Sequence, residues 1–280
     1  MKFGLCMFLT DYSMGPTALA VASEDRGFES IWIPEHSHIP TERATPWPGG
    51  DELPKRYYDC MDPFVSLGAA AAVTTKLMLG TGICLVIQRD PIQVAKEVAT
   101  LDQISNGRVL FGVGGGWNAE EIANHGTEFK NRFKVMRERI NAMKTIWTEN
   151  KPEFHGEYVD FGPMMTWPKP VQKPHPQIIV GGGFPWAAKR AAEYGNGWIP
   201  IAGRGVDLTD TLAEYRKFLA EFGREGEPMN VTIFGIDPAT VSQEDIDQYE
   251  EAGVERMVGM LLSEKEDTIL PLMDRMAEFN

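Results

Sequence analysis

The sequence predicts an α/β fold in which eight parallel strands close into a (β/α)8 barrel, the TIM-barrel architecture. Short apolar runs of strand length alternate with helical segments along the chain, and such alternation indicates parallel strands. The clearest unit covers residues 77–118, where strand candidates 77–85 and 108–113 flank the helical segment Pro91–Ile104. A chain of 280 residues favours closure, because a single barrel commonly needs about 250 residues. An open, doubly wound sheet is the alternative.

Each predicted element follows from its local pattern: strands are apolar runs bounded by turn residues, and helices carry an apolar stripe or small packing residues. The predicted strands are residues 2–8, 30–34, 77–85, 108–113, 177–180, 197–201, 230–236 and 256–262. The predicted helices are residues 16–26, 62–73, 91–104, 119–124, 129–149, 186–194, 208–223, 243–252 and 265–279. Two irregular insertions interrupt the alternation, 35–59 after the second strand and 152–176 before the fifth. We expect the first to be a mobile lid, and residues 1–280 to form one domain.

Composition and charge exclude several classes of protein. Lys and Arg number 27 against 40 Asp and Glu, a net charge of −13, which argues against nucleic acid as a partner because phosphate binding needs basic residues. No apolar run reaches the roughly 18 residues of a membrane span, and the first residues turn polar too quickly for a signal peptide. Cys6, Cys60 and Cys84 lack metal spacing and are expected to be reduced thiols. We therefore expect a cytoplasmic protein that binds a small-molecule substrate, with no nucleic-acid or membrane partner.

Two glycine-rich turns follow predicted strands. Residues 112–116 (GVGGG) are either a tight turn that needs positive φ angles or a loop that a flat ring can approach. Residues 181–183 (GGG) leave a buried strand, and a helix starts within a few residues. Backbone N–H groups beside a helix N-terminus bind anions, so this second turn predicts a phosphate site. Lys189 and Arg190 come one helical turn later and are interpreted as solvated side chains.

The segment PEHSH follows the second strand and carries the strongest signal for chemistry. A barrel places the residues after its strands at the catalytic face, and histidine titrates near neutral pH. We expect His36 to line the active site and to act as a proton donor. A metal site formed by Glu35, His36 and His38 is the alternative, and we predict no metal because the other histidines lack ligand spacing. Those histidines are His125, His155 and His175.

Four blocks in order resemble the bacterial luciferase-like superfamily of flavin and deazaflavin oxidoreductases. They are GFESIWIPEH, DPFVSLGAAAAVTTKLMLGTGI, RDPIQVAKEVATLDQISNGRVLFGVGGGWNAEE and KPVQKPHPQIIVGGG. The resemblance covers nearly the whole chain and is strongest to the coenzyme F420-dependent branch. It implies a TIM barrel with a flat tricyclic cofactor at the carboxyl ends of the strands, and we expect a homodimer. The implied cofactor is F420, with FMN as the alternative.

The resemblance also implies roles for individual residues. Gly82–Ile83 falls on a third-strand bulge that often contains a non-proline cis peptide behind the ring, and His36 matches an active-site histidine. The implied cofactor contacts are Glu35, Gly82, Ile83, Asn118, Gly181, Gly182 and Gly183. The sugar-phosphate dehydrogenase branch has a glutamate in the fourth-strand loop where this chain has Gly115. We therefore expect His36 to act largely without an acidic partner from the protein, either alone or with a partner group carried by the substrate.

Three functions remain open from the sequence. The first is an F420-dependent oxidoreductase that transfers hydride to or from a small organic substrate. The second is an FMN-dependent monooxygenase of the same fold, in which oxygen is activated on reduced flavin. The third is a non-catalytic protein that binds a flavin or deazaflavin.

Overall fold

Eight parallel strands form a closed barrel, which confirms the predicted fold class. The computed structural model describes residues 1–203 and 208–280. In chain order the strands are β1 (Lys2–Cys6), β2 (Ser30–Ile33), β3 (Met78–Thr81), β4 (Val109–Val113), β5 (Phe154–His155), β6 (Asp160–Phe161), β7 (Gln177–Gly181), β8 (Gly197–Ile199), β9 (Thr232–Ile236) and β10 (Arg256–Met260). Strands β5 and β6 form a separate pair, and the other strands form the barrel. The helices are α1 (Pro16–Asp25), α2 (Pro63–Val73), α3 (Pro91–Ile104), α4 (Ala119–Asn124), α5 (Arg132–Thr148), α6 (Trp186–Tyr194), α7 (Leu208–Glu221), α8 (Gln243–Ala252) and α9 (Glu266–Ala277). No helix in the two described ranges is long and apolar enough to cross a membrane.

Strand pairing closes the barrel. Hydrogen-bonded neighbours run in the order β8, β7, β4, β3, β2, β1, β10, β9. The two ends of this row meet through the parallel bridges Trp198–Val231 and Ile201–Phe234. Because the strands are parallel, their carboxyl ends share one edge of the barrel. The segments that follow β2, β3, β4 and β7 are therefore brought to one face.

Trp32 on β2 fills the barrel interior. Its side chain is fully buried, its indole N–H donates to Ser30 Oγ at 2.9 Å, and its ring packs edge-on against Phe234. A Cβ added at Gly80 would lie 2.4 Å from the Trp32 ring, closer than any real contact. Glycine at this position of β3 is therefore a packing requirement of the core.

The predicted strand 77–85 is longer than β3, which ends at Thr81. Beyond it the chain makes one isolated bridge, Cys84 to Val113, and a 3-10 turn at Val86–Gln88. The apolar character of residues 83–87 reflects burial beneath the barrel mouth, and periodicity alone does not separate a buried turn from a buried strand.

The insertion before the fifth barrel strand contains an antiparallel pair that the sequence pattern did not predict. Strands β5 and β6 pair Phe154 with Phe161 and His155 with Asp160. Strands of two residues are too short to show a period of two, which explains the omission. The other insertion, 35–59, contains a 3-10 turn at Lys55–Tyr57.

Candidate active site

A cavity of about 520 Å³ opens at the carboxyl ends of the barrel strands. Its walls come from the segments after β2, β3, β4 and β7, from the ends of β8, β9 and β10, and from the insertion 35–59. Of the predicted site residues, seven line it: Glu35, His36, Gly82, Ile83, Gly181, Gly182 and Gly183. This is the position where barrels of this architecture carry their chemistry.

Ile83 forms an apolar surface between two glycines. The Gly82–Ile83 peptide bond is cis, as the resemblance implies. A Cβ at Gly114 would lie 2.6 Å from Ile83 Cδ1, and one at Gly181 would lie 2.9 Å from Ile83 Cγ2. The glycines after β4 and at the end of β7 therefore allow the Ile83 side chain to lie between their strands.

His36 is paired with a buried carboxylate that the sequence analysis missed. His36 Nδ1 lies 2.8 Å from Glu121 Oε2, and the two side chains are 7% and 1% exposed. The backbone N–H of Ser37 donates to the other oxygen of Glu121 at 3.2 Å. The expectation that His36 acts without an acidic partner is therefore wrong. An ionised carboxylate only accepts hydrogen bonds, so it places the hydrogen on Nδ1 and leaves Nε2 to exchange a proton with a ligand.

The absence of an acidic side chain at Gly115 has a steric cause. A Cβ at Gly115 would lie 2.5 Å from Phe133 Cε1, so the Phe133 ring of α5 occupies the space that a side chain would need. The acidic group comes instead from the first turn of α4, where Glu120 and Glu121 follow the fourth-strand loop. That acidic pair, directly after a loop at the catalytic face, was the available sequence signal.

The carboxylate of Glu35 forms hydrogen bonds within the protein that hold the wall of the cavity in place. One carboxylate oxygen accepts the Leu85 N–H at 2.7 Å, and the other accepts from Arg89. Arg89 in turn bonds Asp62 at the start of α2. Both oxygens of Glu35 are thus engaged within the protein, so we interpret this residue as holding the 83–85 segment in place rather than as a direct ligand of a ring.

The glycine turn after β7 leaves fewer N–H groups free than the motif suggests. Gly182 has a φ of +132°, its N–H donates to Ile199 O at 3.2 Å, and its carbonyl accepts from Trp198 Nε1 at 2.9 Å. At Gly183, by contrast, an added Cβ would meet no atom of residues 1–203 or 208–280 within 4 Å. Helix α6 begins at Trp186 without a side-chain cap. An anion would therefore be received by the backbone from Gly183 to the start of α6, with Gly182 shaping the turn.

Asn118 is the predicted site residue that does not line the cavity. It is 1% exposed, and neither atom of its amide group has a hydrogen-bond partner within the described part of the chain. Its neighbour Trp117 does line the cavity. A buried amide with an unpartnered donor and acceptor is costly, but Asn118 does not line the cavity, so its contact with a cofactor stays a prediction.

The insertion 35–59 supplies an aromatic wall on the His36 side. Trp47 and Tyr57 line the cavity together with Trp117. The His36 ring centroid lies 5.3 Å from that of Tyr57 and 5.8 Å from that of Trp117. These rings surround the imidazole with apolar surface and reduce its contact with water.

Hydrogen bonds fasten the same insertion to α4. Glu120 Oε1 accepts the N–H groups of Ala44 and Thr45, and bonds from Thr45 and Ala44 lower the pKa of Glu120 to about 2. Ser37 Oγ lies 2.7 Å from His125 Nε2 and 2.9 Å from His38 Nδ1. The insertion 35–59 is thus hydrogen-bonded to α4 in this structure, and its mobility as a lid stays a prediction.

Comparison with known proteins decides the family. The model of the luciferase-like monooxygenase family matches residues 16–258. The chain belongs to this luciferase-like family. An uncharacterized protein of Mycobacterium tuberculosis is 42% identical over 241 residues, which are 83% of each chain. An F420-dependent glucose-6-phosphate dehydrogenase of Kineococcus radiotolerans is 31% identical over 252 residues, 85% of this chain and 70% of the relative. The crystal structure of the monooxygenase RslO1 from Streptomyces bottropensis shares the fold, with a TM-score of 0.79 and 20% identity over 99% of this chain and 98% of that one.

The residues of this luciferase-like protein fit a flavin-type cofactor. The apolar Ile83 surface suits a flat ring, and the open backbone at Gly183 suits an anionic side chain. Across residues 1–203 and 208–280 no three His, Cys, Asp or Glu side chains are grouped as metal ligands would be. His36 and Glu35 instead have the protein partners described above.

Proposed function

We propose that this protein is an oxidoreductase that binds coenzyme F420 in the cavity and transfers hydride to or from a small organic substrate. The observation that carries the proposal is the His36–Glu121 pair, held at 2.8 Å beside the cavity. It is supported by the relative named as an F420-dependent dehydrogenase and by the apolar surface at Ile83.

The protein's part in this reaction is binding, orientation and proton transfer. F420, when bound, supplies the hydride chemistry. As hydride reaches the carbon of a carbonyl substrate, His36 donates a proton to the carbonyl oxygen, and in the reverse direction it accepts the proton of the alcohol. Glu121 orients the imidazole and stabilises its protonated form. The aromatic rings of Trp47, Tyr57 and Trp117 keep bulk water from the reacting atoms.

The lining of the cavity favours an uncharged, partly apolar substrate. Near His36 the walls are Phe8, Trp47, Tyr57 and Trp117. Among the described residues that line the cavity, the one basic side chain other than histidine is Arg190, which lies with the glycine turn after β7. Arg43 and Arg56 stack on Trp117 and Tyr57 on the His36 side, but neither arginine lines the cavity. A sugar phosphate would need a cationic group that does, so we propose a neutral carbonyl compound or alcohol.

Titration with both cofactors tests the proposal. Trp47 and Trp117 line the cavity, so their fluorescence should be quenched when F420 binds. We expect saturable quenching by F420 at micromolar concentration, weaker quenching by FMN, and oxidation of reduced F420 with a carbonyl panel under anaerobic conditions. Binding of FMN in preference to F420, with oxygen consumption, would instead favour the monooxygenase function that the family's description suggests. Binding without turnover in any condition would favour a non-catalytic cofactor-binding protein.

The proposed assembly is a homodimer in the cytoplasm. Light scattering on the purified chain gives the assembly state directly, and a monomer mass would contradict this part of the proposal.

A further inference from the structure

The indole of Trp47 forms part of the cavity wall and packs against a glycine two residues later in the chain. A Cβ built on Gly49 would lie 2.3 Å from Trp47 Cζ2 and 2.6 Å from Trp47 Cη2, closer than any real contact. Trp47 is half-buried and belongs to the described residues that line the cavity, whereas Gly49 is exposed and lies outside that set. On its other side the indole meets the ring of Tyr57 edge-on, with the centroids 5.5 Å apart. The indole therefore lies between Gly49 and the aromatic ring that borders His36.

The backbone that carries Trp47 has little freedom to move the indole aside. Pro46 and Pro48 flank the residue, and each proline ring fixes its own φ angle. The N–H of Gly50 donates to the carbonyl oxygen of Trp47 at 3.4 Å, which closes a tight turn. The hydrogen bonds to Glu120 described above hold the chain just before this turn. The indole is thus a fixed part of the wall.

The cavity has to hold two molecules at once if a cofactor and a substrate react in it. Its volume of about 520 Å³ is then shared between a flat ring on the Ile83 surface and a substrate beside His36. On the His36 side the wall is made of aromatic side chains, which do not shrink or bend to admit a larger group. In a closely fitting apolar pocket, one additional methylene group changes kcat/KM by roughly 10- to 200-fold. A fixed indole at this place therefore limits the size of the substrate.

We propose that the contact between Trp47 and Gly49 sets the width of the substrate site. Trp47 is the specificity-determining residue, and Gly49 is a positioning residue that acts through the indole. This inference rests on the proposed function, because it takes the cavity to hold a cofactor and a carbonyl substrate together. The substrate class that follows is a small carbonyl compound or alcohol with short carbon substituents. A bulky substituent beside His36 would collide with the indole.

A series of methyl ketones tests the width of the site. The kcat/KM for anaerobic oxidation of reduced F420 is measured with ketones whose second substituent grows from methyl to butyl to phenyl. The size ratio is kcat/KM for the phenyl ketone divided by kcat/KM for the dimethyl ketone. We expect the wild-type protein to prefer the smallest ketone. Trp47→Ala should raise the size ratio by about 10- to 100-fold and leave the dissociation constant of F420, measured by quenching of the remaining tryptophans, within about twofold.

Gly49→Ala should change the size ratio in the opposite direction. Its methyl group takes the space that the indole occupies, so the indole is pushed toward Tyr57 and the site becomes narrower. We expect the size ratio to fall by about 10-fold, and the same substitution to have no effect in the Trp47→Ala background, where there is no indole to push. Tyr58→Ala is the matched control, because it removes an exposed aromatic ring of the same insertion that lies outside the described lining of the cavity. Thermal melts establish that each variant is folded.

Other outcomes overturn the proposal at different levels. If Trp47→Ala turns over the ketones with the size ratio of the wild type, the indole does not limit the substrate, while the proposed function stands. If Gly49→Ala leaves the ratio unchanged or raised, or lowers it equally with and without Trp47, the contact between the two residues does not set the width. If the wild-type protein reduces none of the ketones and oxidises none of the corresponding alcohols, the proposed function and this inference fall together.

Discussion

His36 Nδ1 lies 2.8 Å from Glu121 Oε2, across 85 residues of sequence. The histidine follows β2 and the glutamate belongs to the first turn of α4, so the barrel brings the carboxyl ends of two strands together to form the pair. Glu121 is almost completely buried, and its second oxygen is held by the Ser37 N–H. A buried carboxylate fixed at both oxygens has little freedom to turn away, which orients the imidazole toward the cavity.

Replacing His36 by alanine should abolish proton transfer while leaving cofactor binding intact. We expect turnover to fall by about 100-fold or more, because general acid–base catalysis contributes roughly that factor, and the dissociation constant of the cofactor to stay within about twofold. Steady-state kinetics with a confirmed substrate and fluorescence titration measure the two effects. Unchanged turnover would make His36 a wall residue, and a matched loss of cofactor affinity would make it a ring contact.

The Glu121→Gln variant tests whether the negative charge of Glu121, and not only the shape of its side chain, contributes to turnover. Glutamine can still accept a hydrogen bond from His36 Nδ1 but carries no charge to stabilise the protonated ring, so we expect turnover to fall by about 10-fold. Glu128→Gln is the control, since Glu128 is an exposed residue paired with Lys130. Equal turnover of Glu121→Gln and the wild type would restrict Glu121 to a packing role.

Substitutions in the glycine turn after β7 can separate the effect of charge on cofactor binding from the effect of backbone strain. Gly182→Asp should abolish cofactor binding with the fold intact, but its φ of +132° also strains any side chain there. Gly183 has no such φ, and within the described residues a Cβ built there has open space. We therefore expect Gly183→Asp to weaken cofactor binding by about 10-fold or more and Gly183→Ala to weaken it much less. Near-equal affinities of these two Gly183 variants, measured by fluorescence titration, would contradict an anion site at this turn.

The sequence predicted most of the architecture but only part of the site. The alternation of apolar runs and helical segments predicts the barrel because the residues of each element determine whether that element is buried. The position of His36 follows from the strand that precedes it. Glu121 and Arg190 could not be assigned, because their roles depend on which helices face the cavity. Arg190 and Lys189 are neighbours in sequence, yet one lines the cavity and the other pairs with Glu221 at the surface. Their difference arises from the rotation of α6 against the barrel, which local pattern does not fix.

Closure of the 35–59 insertion should weaken as the pH falls. His125 and His38 both contact Ser37, and their ring centroids lie 5.5 Å apart. Burial, and next the charge of His38, lower the pKa of His125 below its usual 6.5, although Glu121 and Glu35 oppose the shift. Opening the insertion is expected to return the pKa of His125 toward its usual value, so the closed state should bind fewer protons than the open state and its stability should rise with pH. The contribution of His125 is fully present above about pH 6.5 and is lost as the pH falls below that value.

Hydrogen exchange of residues 35–59 at pH 5.5 and 7.5, corrected for intrinsic rates, measures this closure. We expect lower protection at pH 5.5 in the wild-type protein and a smaller pH difference in His125→Gln, which cannot gain a proton. His155→Gln is the control, because His155 is exposed on β5 and pairs with Asp160 away from the insertion. Equal protection at the two pH values in the wild-type protein would show that the Ser37, His38 and His125 contacts do not control the lid.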